Sequence, residues 1–140
     1  MDLFMQQQFY PELLESEVGA PGHQFLLAMK GGEPVGYAFL KEGKHPGDAD
    51  NRSAMEIARI YALQALIGKG VGAALMERCL QIARENQKET IWLGVWEHNH
   101  RAIAFYRKWG FHKFGTHSFR LGNDRQTDWL MKKELGILSH

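Results

Sequence analysis

The chain has 140 residues, of which 44% are hydrophobic and 24% charged, so it can form one domain with a packed core, and we expect that domain to span residues 1–140. Seventeen basic residues balance sixteen acidic ones, which gives no reason to expect nucleic acid or an anionic membrane as a partner. The single cysteine excludes an intramolecular disulfide, and no stretch reads as a membrane span or a signal peptide, so a cytoplasmic location is expected.

The first half of the chain predicts a helix followed by three strands. Apolar residues at helical spacing from Leu3 to Val18 predict an N-terminal helix. Residues 25–29 and 35–40 flank the turn sequence KGGEP and predict a β-hairpin. A polar loop is expected over 44–53. Apolar groups on both faces of 54–66 then predict a central strand that is covered on both sides.

The second half predicts two helices, one strand and a closing hairpin. One apolar helix face is formed by Val71, Ala74, Leu75, Cys79 and Ile82. The run ETIWLGVWE predicts a second central strand, and HNHRAIAFYRKWG a second helix with Asn99 as N-cap and Gly110 as its stop. Residues 111–135 predict a β-hairpin. This order places one strand–helix–strand unit at the centre of a mixed sheet, in the α/β or α+β class.

Three glycines stand where the first of these helices begins. Gly68, Gly70 and Gly72 bring free backbone N–H groups and the positive end of a helix dipole together, which favours a phosphate. A nucleotide P-loop is excluded because Lys69 is followed by glycine and no hydroxyl residue follows it. A dinucleotide fingerprint needs a third glycine at position 73, which is alanine. A coenzyme A pyrophosphate and a turn that binds nothing both remain open.

Two longer stretches narrow these alternatives. EIARIYALQALIGKGVGAALMERCLQIA, followed by WLGVWEHNHRAIAFYRKWGF, resembles the GNAT superfamily of acetyl-CoA-dependent N-acetyltransferases. The shared pattern is a strand, R/Q-x-x-G-x-G/A, a helix, a strand and N-x-x-A-x-x-F/L-Y-x-x-x-G-F. The second part of the pattern is matched by Asn99, Ala102, Phe105, Tyr106, Gly110 and Phe111. The closing FRLGNDRQTDWLM is similar to PaiA-type acetyltransferases, which are associated with polyamines.

The resemblance implies a fold and a co-substrate. The fold is a mixed, mostly antiparallel sheet with a central parallel βαβ unit and helices on both faces. The co-substrate is acetyl-CoA, and no metal is needed. The chain departs from the pattern at Ile67, where the superfamily has Arg or Gln, and it shows no first strand ahead of residues 25–29. Without that first strand, the strand at 25–29 would be an open sheet edge, and we predict a homodimer that covers it.

The resemblance also implies which residues bind the coenzyme. The backbone of the strand before the glycines would pair with the pantetheine arm and meet the oxyanion through Ile60, Tyr61, Ala62 and Leu63. The pyrophosphate would lie against Gly68, Lys69, Gly70, Val71, Gly72 and Ala73. Asn99 would contact the coenzyme, although the pattern of the helix accounts for it as an N-cap.

The catalytic roles implied by the resemblance fall on few residues. Tyr106 stands at the general-acid position, although periodicity alone favours a core role for it. Glu56 matches a carboxylate that acts as base through water, although a solvated surface glutamate fits equally well. Glu97 is the second candidate base. The position at which some relatives carry a base is Gly94 here. Cys79 is expected to be a core thiol.

The predicted function is therefore transfer of an acetyl group from acetyl-CoA to a small-molecule primary amine, by direct attack of the amine on the thioester. A polyamine such as spermidine is the first candidate acceptor. Acetylation of a peptide N-terminus, a lysine or an aminoglycoside is an alternative. A coenzyme-binding module without turnover is a further alternative, suggested by Ile67 and the missing strand.

Overall fold

The computed structural model describes residues 11–19, 22–43 and 54–136. The chain divides into two compact units that interleave along the sequence. The first unit comprises Met1–Glu42 and Ile57–Ile82, and the second comprises Gly43–Glu56 and Ala83–His140. One strand, β4, contributes residues to both units.

The first unit holds four neighbouring strands and a long helix. Its elements are β1 (Glu12–Glu17), β2 (Gln24–Lys30), β3 (Glu33–Glu42), the later part of β4 (Ala54–Ala62), a 3₁₀ helix (Gln64–Leu66) and most of α1 (Val71–Glu85). The strand order is β1-β2-β3-β4, and the β1–β2 and β2–β3 pairs are antiparallel. The glycine-rich KGGEP turn joins β2 and β3 as the sequence predicted.

The core of the first unit lies between one face of β2 and β3 and one face of α1. The strands bury alternate residues, Leu26 and Ala28 on β2 and Ala38 and Leu40 on β3, as period-2 patterning requires. The helix buries residues at helical spacing, which are Val71, Leu75, Met76, Cys79 and Ile82. The predicted helix and its apolar face are therefore confirmed, and Cys79 is a core thiol.

The second unit is built around β5. Its elements are the start of β4, β5 (Thr90–Trp96), α2 (His100–Lys108), β6 (His112–Leu121) and β7 (Asp124–Glu134). Strand β5 is parallel to β4 over Ala54–Glu56 and antiparallel to β7, which in turn pairs antiparallel with β6. The buried side chains include Ile91, Leu93, Val95, Ile103, Phe111 and Met131. The α+β class, the parallel strand pair and the mostly antiparallel pairing are as predicted.

The N-terminal segment differs from its prediction. Residues 12–17 form β1, where apolar spacing predicted a helix, because the backbone of this segment pairs with β2 and that pairing overrides the spacing of its apolar residues. A strand therefore precedes β2, and residues 25–29 are not an open edge, so the prediction of a missing strand is wrong. The homodimer was predicted in order to cover that open edge, so the reason for predicting it no longer holds. Strand β1 takes the outer position in the first unit, and the exposed charges of Glu12 and Glu17 discourage pairing with another chain.

Two predicted segments lie outside the described residues. They are the polar loop expected over 44–53 and the part of the predicted N-terminal helix before residue 11. Among the helices that the structure describes, none is both long and apolar enough to cross a membrane.

Candidate functional site

The glycine loop follows β4 through a tight turn. The N–H of Leu63 donates to the carbonyl of Val35 at 2.9 Å, which ties the end of β4 to β3. After the 3₁₀ helix the chain passes through left-handed backbone at Gly68 (φ 86°) and Gly70 (φ 102°). A Cβ at Gly68 would have no heavy atom within 4 Å, so glycine is required there by the backbone conformation and not by crowding.

Helix α1 presents its N-terminus at this loop. The N–H of Ala74 donates to the carbonyl of Gly70 at 2.9 Å and opens the helical hydrogen-bond series. Helix geometry leaves the N–H groups of Val71, Gly72 and Ala73 without an intrahelical acceptor. No acidic residue lies in the first turn of α1. This combination fits a bound phosphate group, because free donors and the positive end of the dipole meet without a competing carboxylate.

Two side chains at the loop bear on its affinity for an anion. Lys69 is exposed and can add positive charge to the loop. Ile67 is 43% exposed and brings no hydrogen-bond donor in its side chain. Any anion at this loop must therefore be bound mainly by backbone groups, with Lys69 as the adjacent cation.

The later part of β4 is open on one face. The first residues of the strand, Ala54, Met55 and Ile57, are buried, so both faces are covered there as predicted. Further along, Arg59 is exposed and Tyr61 is 49% exposed, so the predicted coverage does not extend over the whole strand. The oxyanion contact predicted for Ile60 to Leu63 stays a prediction.

The Tyr61 ring continues an aromatic row in the first unit. It lies 5.8 Å from the Tyr37 ring, which stacks on Phe25 at 5.7 Å. The face of the strand that carries Tyr61 is therefore aromatic, while Ile60 and Ala62 on the other face are half-buried. The pantetheine pairing expected for this strand is likewise untested.

In the second unit, the motif that carried the resemblance also caps α2 at both ends. The Asn99 side chain accepts a hydrogen bond from the Ala102 N–H at 3.2 Å, so Asn99 is the N-cap as predicted. At the other end Gly110 has φ 94°, and the Phe111 N–H donates to the carbonyl of Tyr106 at 3.0 Å. This is a Schellman motif, and the Tyr106 and Phe111 rings make its apolar contact at 5.9 Å.

Tyr106 is largely withdrawn from solvent. It is 8% exposed and its ring also lies beside that of Phe105, at 5.6 Å. The core role favoured by periodicity is therefore present, and a buried phenol can still act as a proton donor to a group brought to it. Its proton-transfer role stays a prediction.

The two candidate bases lie at different places in the second unit. Glu56 is half-buried and forms the last pair of the parallel ladder, opposite Trp92. Glu97 follows β5, where its N–H donates to the Thr127 carbonyl at 3.1 Å and its carboxylate lies 3.5 Å from His98 Nε2. Neither role is tested by this geometry.

A third carboxylate, which the sequence did not single out, lies on β7. The Asp128 Oδ2 is 3.6 Å from the point where a Cβ at Gly94 would stand. Strand register also sets Asp128 opposite Trp96 on β5 and His117 on β6. We call the surface formed by Gly94, Trp96, Asp128 and Leu130 the β5–β7 recess.

The recess contains a carboxylate with a raised pKa and a tryptophan side chain that is held by a hydrogen bond. Burial raises the pKa of Asp128, and the charge of His117 partly opposes that rise. Trp96 is 46% exposed, and its Nε1 donates to Gln126 Oε1 at 2.8 Å. The sequence signal that could have indicated the recess is the aspartate in the middle of a strand, a position that disfavours this residue.

Comparison with known proteins gives consistent matches. The model of the acetyltransferase (GNAT) family matches residues 3–111. An uncharacterized N-acetyltransferase of Lactobacillus delbrueckii subsp. lactis is 37% identical over 135 residues, which cover 96% of this chain and 78% of that protein. The aminoglycoside N(6')-acetyltransferase type 1 of Klebsiella pneumoniae is 30% identical over 118 residues, covering 80% of this chain and 57% of that enzyme.

A solved structure agrees. The ribosomal-protein-alanine N-acetyltransferase of Brucella melitensis superposes with a TM-score of 0.69 at 26% identity, over 81% of this chain and 69% of that one.

Proposed function

The chain belongs to the acetyltransferase (GNAT) family, and from that premise we propose that it transfers the acetyl group of acetyl-CoA to a primary amine. Members of the family use acetyl-CoA and act on amines of small molecules or peptides. The observation that carries the proposal is the N-terminus of α1, where the N–H groups of Val71, Gly72 and Ala73 are available to a pyrophosphate.

The coenzyme contacts that we propose follow the geometry of each unit. The loop Gly68–Ala73 binds the pyrophosphate through backbone N–H groups, with Lys69 as a supporting charge. The backbone of Ile60–Leu63 pairs with the pantetheine arm and donates a hydrogen bond to the developing oxyanion. Asn99 contacts the coenzyme in addition to capping α2. Ile67 offers no such contact, so affinity depends on the backbone.

The proposed chemistry is one direct transfer. The neutral amine forms a bond to the thioester carbonyl carbon, the C–S bond breaks, and the departing thiolate takes a proton from the Tyr106 hydroxyl. The acylated nitrogen loses a proton, which restores that hydroxyl. A phenol of pKa about 10 can protonate a thiolate whose conjugate acid has a pKa of about 8.5 when the two are hydrogen-bonded as charge develops. The amine must first lose a proton, and Glu56 is the base that the sequence proposes for this step.

The acceptor that we propose is a polyamine such as spermidine, on the strength of the β6–β7 sequence FRLGNDRQTDWLM. Two other acceptor classes are supported by relatives. One relative is an aminoglycoside N-acetyltransferase, and a structural neighbour is a ribosomal-protein-alanine N-acetyltransferase. A panel of spermidine, an aminoglycoside and an alanine-terminated peptide separates these classes. The cytoplasmic location and the homodimer also stay proposals.

The loop is tested by two variants that differ only in charge. Ala73→Asp and Ala73→Asn have the same shape, and an acid in the first turn of a helix favours the helix itself. We expect the aspartate variant to bind coenzyme A at least ten-fold more weakly than the asparagine variant, measured by calorimetry, while it unfolds no more easily. Equal affinities of the two variants would overturn the proposed pyrophosphate site.

Turnover is tested at Tyr106. We expect Tyr106→Phe to lower kcat with the best amine of the panel by about 100-fold or more, with the Kd for acetyl-CoA preserved. Tyr37→Phe is the control, because it removes a hydroxyl from a half-buried tyrosine of the first unit and should leave kcat unchanged. Binding of acetyl-CoA without turnover of any amine, or full activity of Tyr106→Phe, would contradict the proposal.

A further inference from the structure

We propose that Asp128 receives the primary ammonium group of the acceptor in the β5–β7 recess and takes its proton before the amine attacks. This inference rests on the proposed acetyl transfer and replaces Glu56 as its base with a residue that neither the sequence pattern nor the relatives single out.

The recess is shaped by the absence of a side chain at Gly94. The nearest atoms to a Cβ at that position are Asp128 Oδ2 at 3.6 Å, Leu130 Cδ2 at 3.9 Å and the Trp129 carbonyl oxygen at 4.0 Å. Gly94 itself is exposed, so the space above it is open to a ligand. A small cationic group can therefore approach the β5 backbone and meet the Asp128 carboxylate from the side.

The walls of the recess suit an organic ammonium group. Trp96 stands opposite Asp128 across the β5–β7 ladder and is held by its hydrogen bond to Gln126. An aromatic ring next to a carboxylate offers a cation both a π face and a charge partner. Leu130 closes the recess with an apolar surface that suits the methylene chain of an alkylamine.

The charged surroundings of Asp128 allow it to hold a proton. From β6 it faces His117, and from β5 it faces Gly94 and Trp96, which carry no charge. Its same-face neighbours along β7 are Gln126 and Leu130, also uncharged. Partial burial raises the pKa of this carboxyl group, which makes it a better proton acceptor than a solvated aspartate, and His117 limits the rise.

The step balances without another reactant. The ammonium R–NH₃⁺ gives one proton to the Asp128 carboxylate and becomes R–NH₂. The lone pair of that nitrogen then bonds to the thioester carbonyl carbon as the C–S bond breaks, and the thiolate takes the Tyr106 proton as proposed above. The acylated nitrogen loses its second proton, which restores the Tyr106 hydroxyl. Asp128 releases its proton to solvent after the product leaves, so one proton is produced for each amide formed.

Glu56 cannot serve the same nitrogen. It pairs with Trp92, whereas Asp128 pairs with Trp96, four residues farther along β5. At roughly 3.3 Å per residue these positions are about 13 Å apart along the strand, and two further strand spacings separate the partners across the sheet. A variant of one carboxylate therefore reports on one site and not on both.

The test compares Asp128→Asn with Asp124→Asn, which removes the same charge from an exposed position at the hairpin end of β7. The probes are spermidine, an aminoglycoside and an alanine-terminated peptide, each with acetyl-CoA. With the amine that the wild type turns over, we expect Asp128→Asn to lower kcat/KM at pH 7 by at least 100-fold. The Kd for acetyl-CoA should stay within two-fold, and Asp124→Asn should match the wild type.

Two further readouts separate a proton acceptor from a structural residue. The defect of Asp128→Asn should shrink as pH rises, because the free amine then forms without help. Asp128→Glu, which keeps a carboxylate at this position and leaves the space above Gly94 open, should retain at least ten-fold more activity than Asp128→Asn. If Asp128→Asn unfolds, Asp128→Ser, which also removes the carboxylate, takes its place in the comparison.

The outcomes distinguish the two proposals. Full activity of Asp128→Asn, or loss of activity from Glu56→Gln alone, overturns the assignment of Asp128 and leaves the acetyltransferase function standing. A defect of Asp128→Asn that does not change with pH also overturns it. A wild type that binds acetyl-CoA and acetylates none of the probes contradicts the proposed function, and the assignment of Asp128 fails with it.

Discussion

Replacing Gly36 by alanine tests how the first unit positions the glycine loop. Gly36 lies on β3 directly beneath the start of α1, and its Cβ would stand 2.6 Å from the Tyr61 carbonyl oxygen and 2.9 Å from Val71 Cγ1. The Tyr61 oxygen belongs to the backbone of β4, so it cannot rotate away as a flexible side chain would. Either β4 or the first turn of α1 must move.

The size of the effect follows from two opposing contributions. Inserting one methyl group into a packed core costs about 1–3 kcal/mol of the free energy of unfolding. Removing a glycine from the unfolded chain returns about 0.4–1 kcal/mol. We therefore expect Gly36→Ala to be less stable than the wild type by about 1–2 kcal/mol. Because Val71 begins α1 at the coenzyme loop, affinity for coenzyme A should fall as well.

Urea unfolding with an unchanged m-value measures the loss of stability, and calorimetry measures the affinity. The matched control is Gly115→Ala, whose Cβ would meet only Leu130 Cδ1, at an ordinary 3.6 Å, so it should be as stable as the wild type or more so. If Gly36→Ala is as stable as Gly115→Ala, the close approach of β3, β4 and α1 is not as described.

Three further outcomes are expected. Asn99→Ala should lower the free energy of unfolding by about 1 kcal/mol while Asn99→Asp preserves it, because only the aspartate can still accept from the Ala102 N–H; equal urea midpoints would contradict the cap. The hydrogen bond from Arg78 lowers the pKa of Glu15, so the stability from this pair is present above the ordinary glutamate pKa and is lost as pH falls through the lowered value. Glu15→Gln should thus cost about 0.5 kcal/mol at neutral pH and nothing in acid, in unfolding curves recorded at both. Burial raises the pKa of Cys79 to about 12, so a thiol reagent should label the protein only when it unfolds. Rapid labelling of the native protein would show that Cys79 is not in the core.

The features that the sequence predicted most reliably lie in short segments. The KGGEP turn, the N-cap Asn99 and the stop at Gly110 act on residues within one turn of themselves, and each was predicted correctly. The glycine at position 68 belongs to the same group, because its left-handed backbone is a local requirement. Such features depend on backbone geometry that a few adjacent residues specify. The residue type alone therefore indicates them.

The features that the sequence did not reveal depend on partners far along the chain. Residues 12–17 carry apolar spacing that suits a helix, and only pairing with β2 makes them a strand. The same holds for the β5–β7 recess, where register brings Asp128 beside Gly94. Burial, and with it the raised pKa of that carboxyl group, exists only once those strands are joined. The sequence by itself therefore determined the family, the glycine loop and the capped helix, whereas the tertiary structure decided which strand lies beside β2 and which carboxylate faces the recess, because strand pairing is a choice among distant segments.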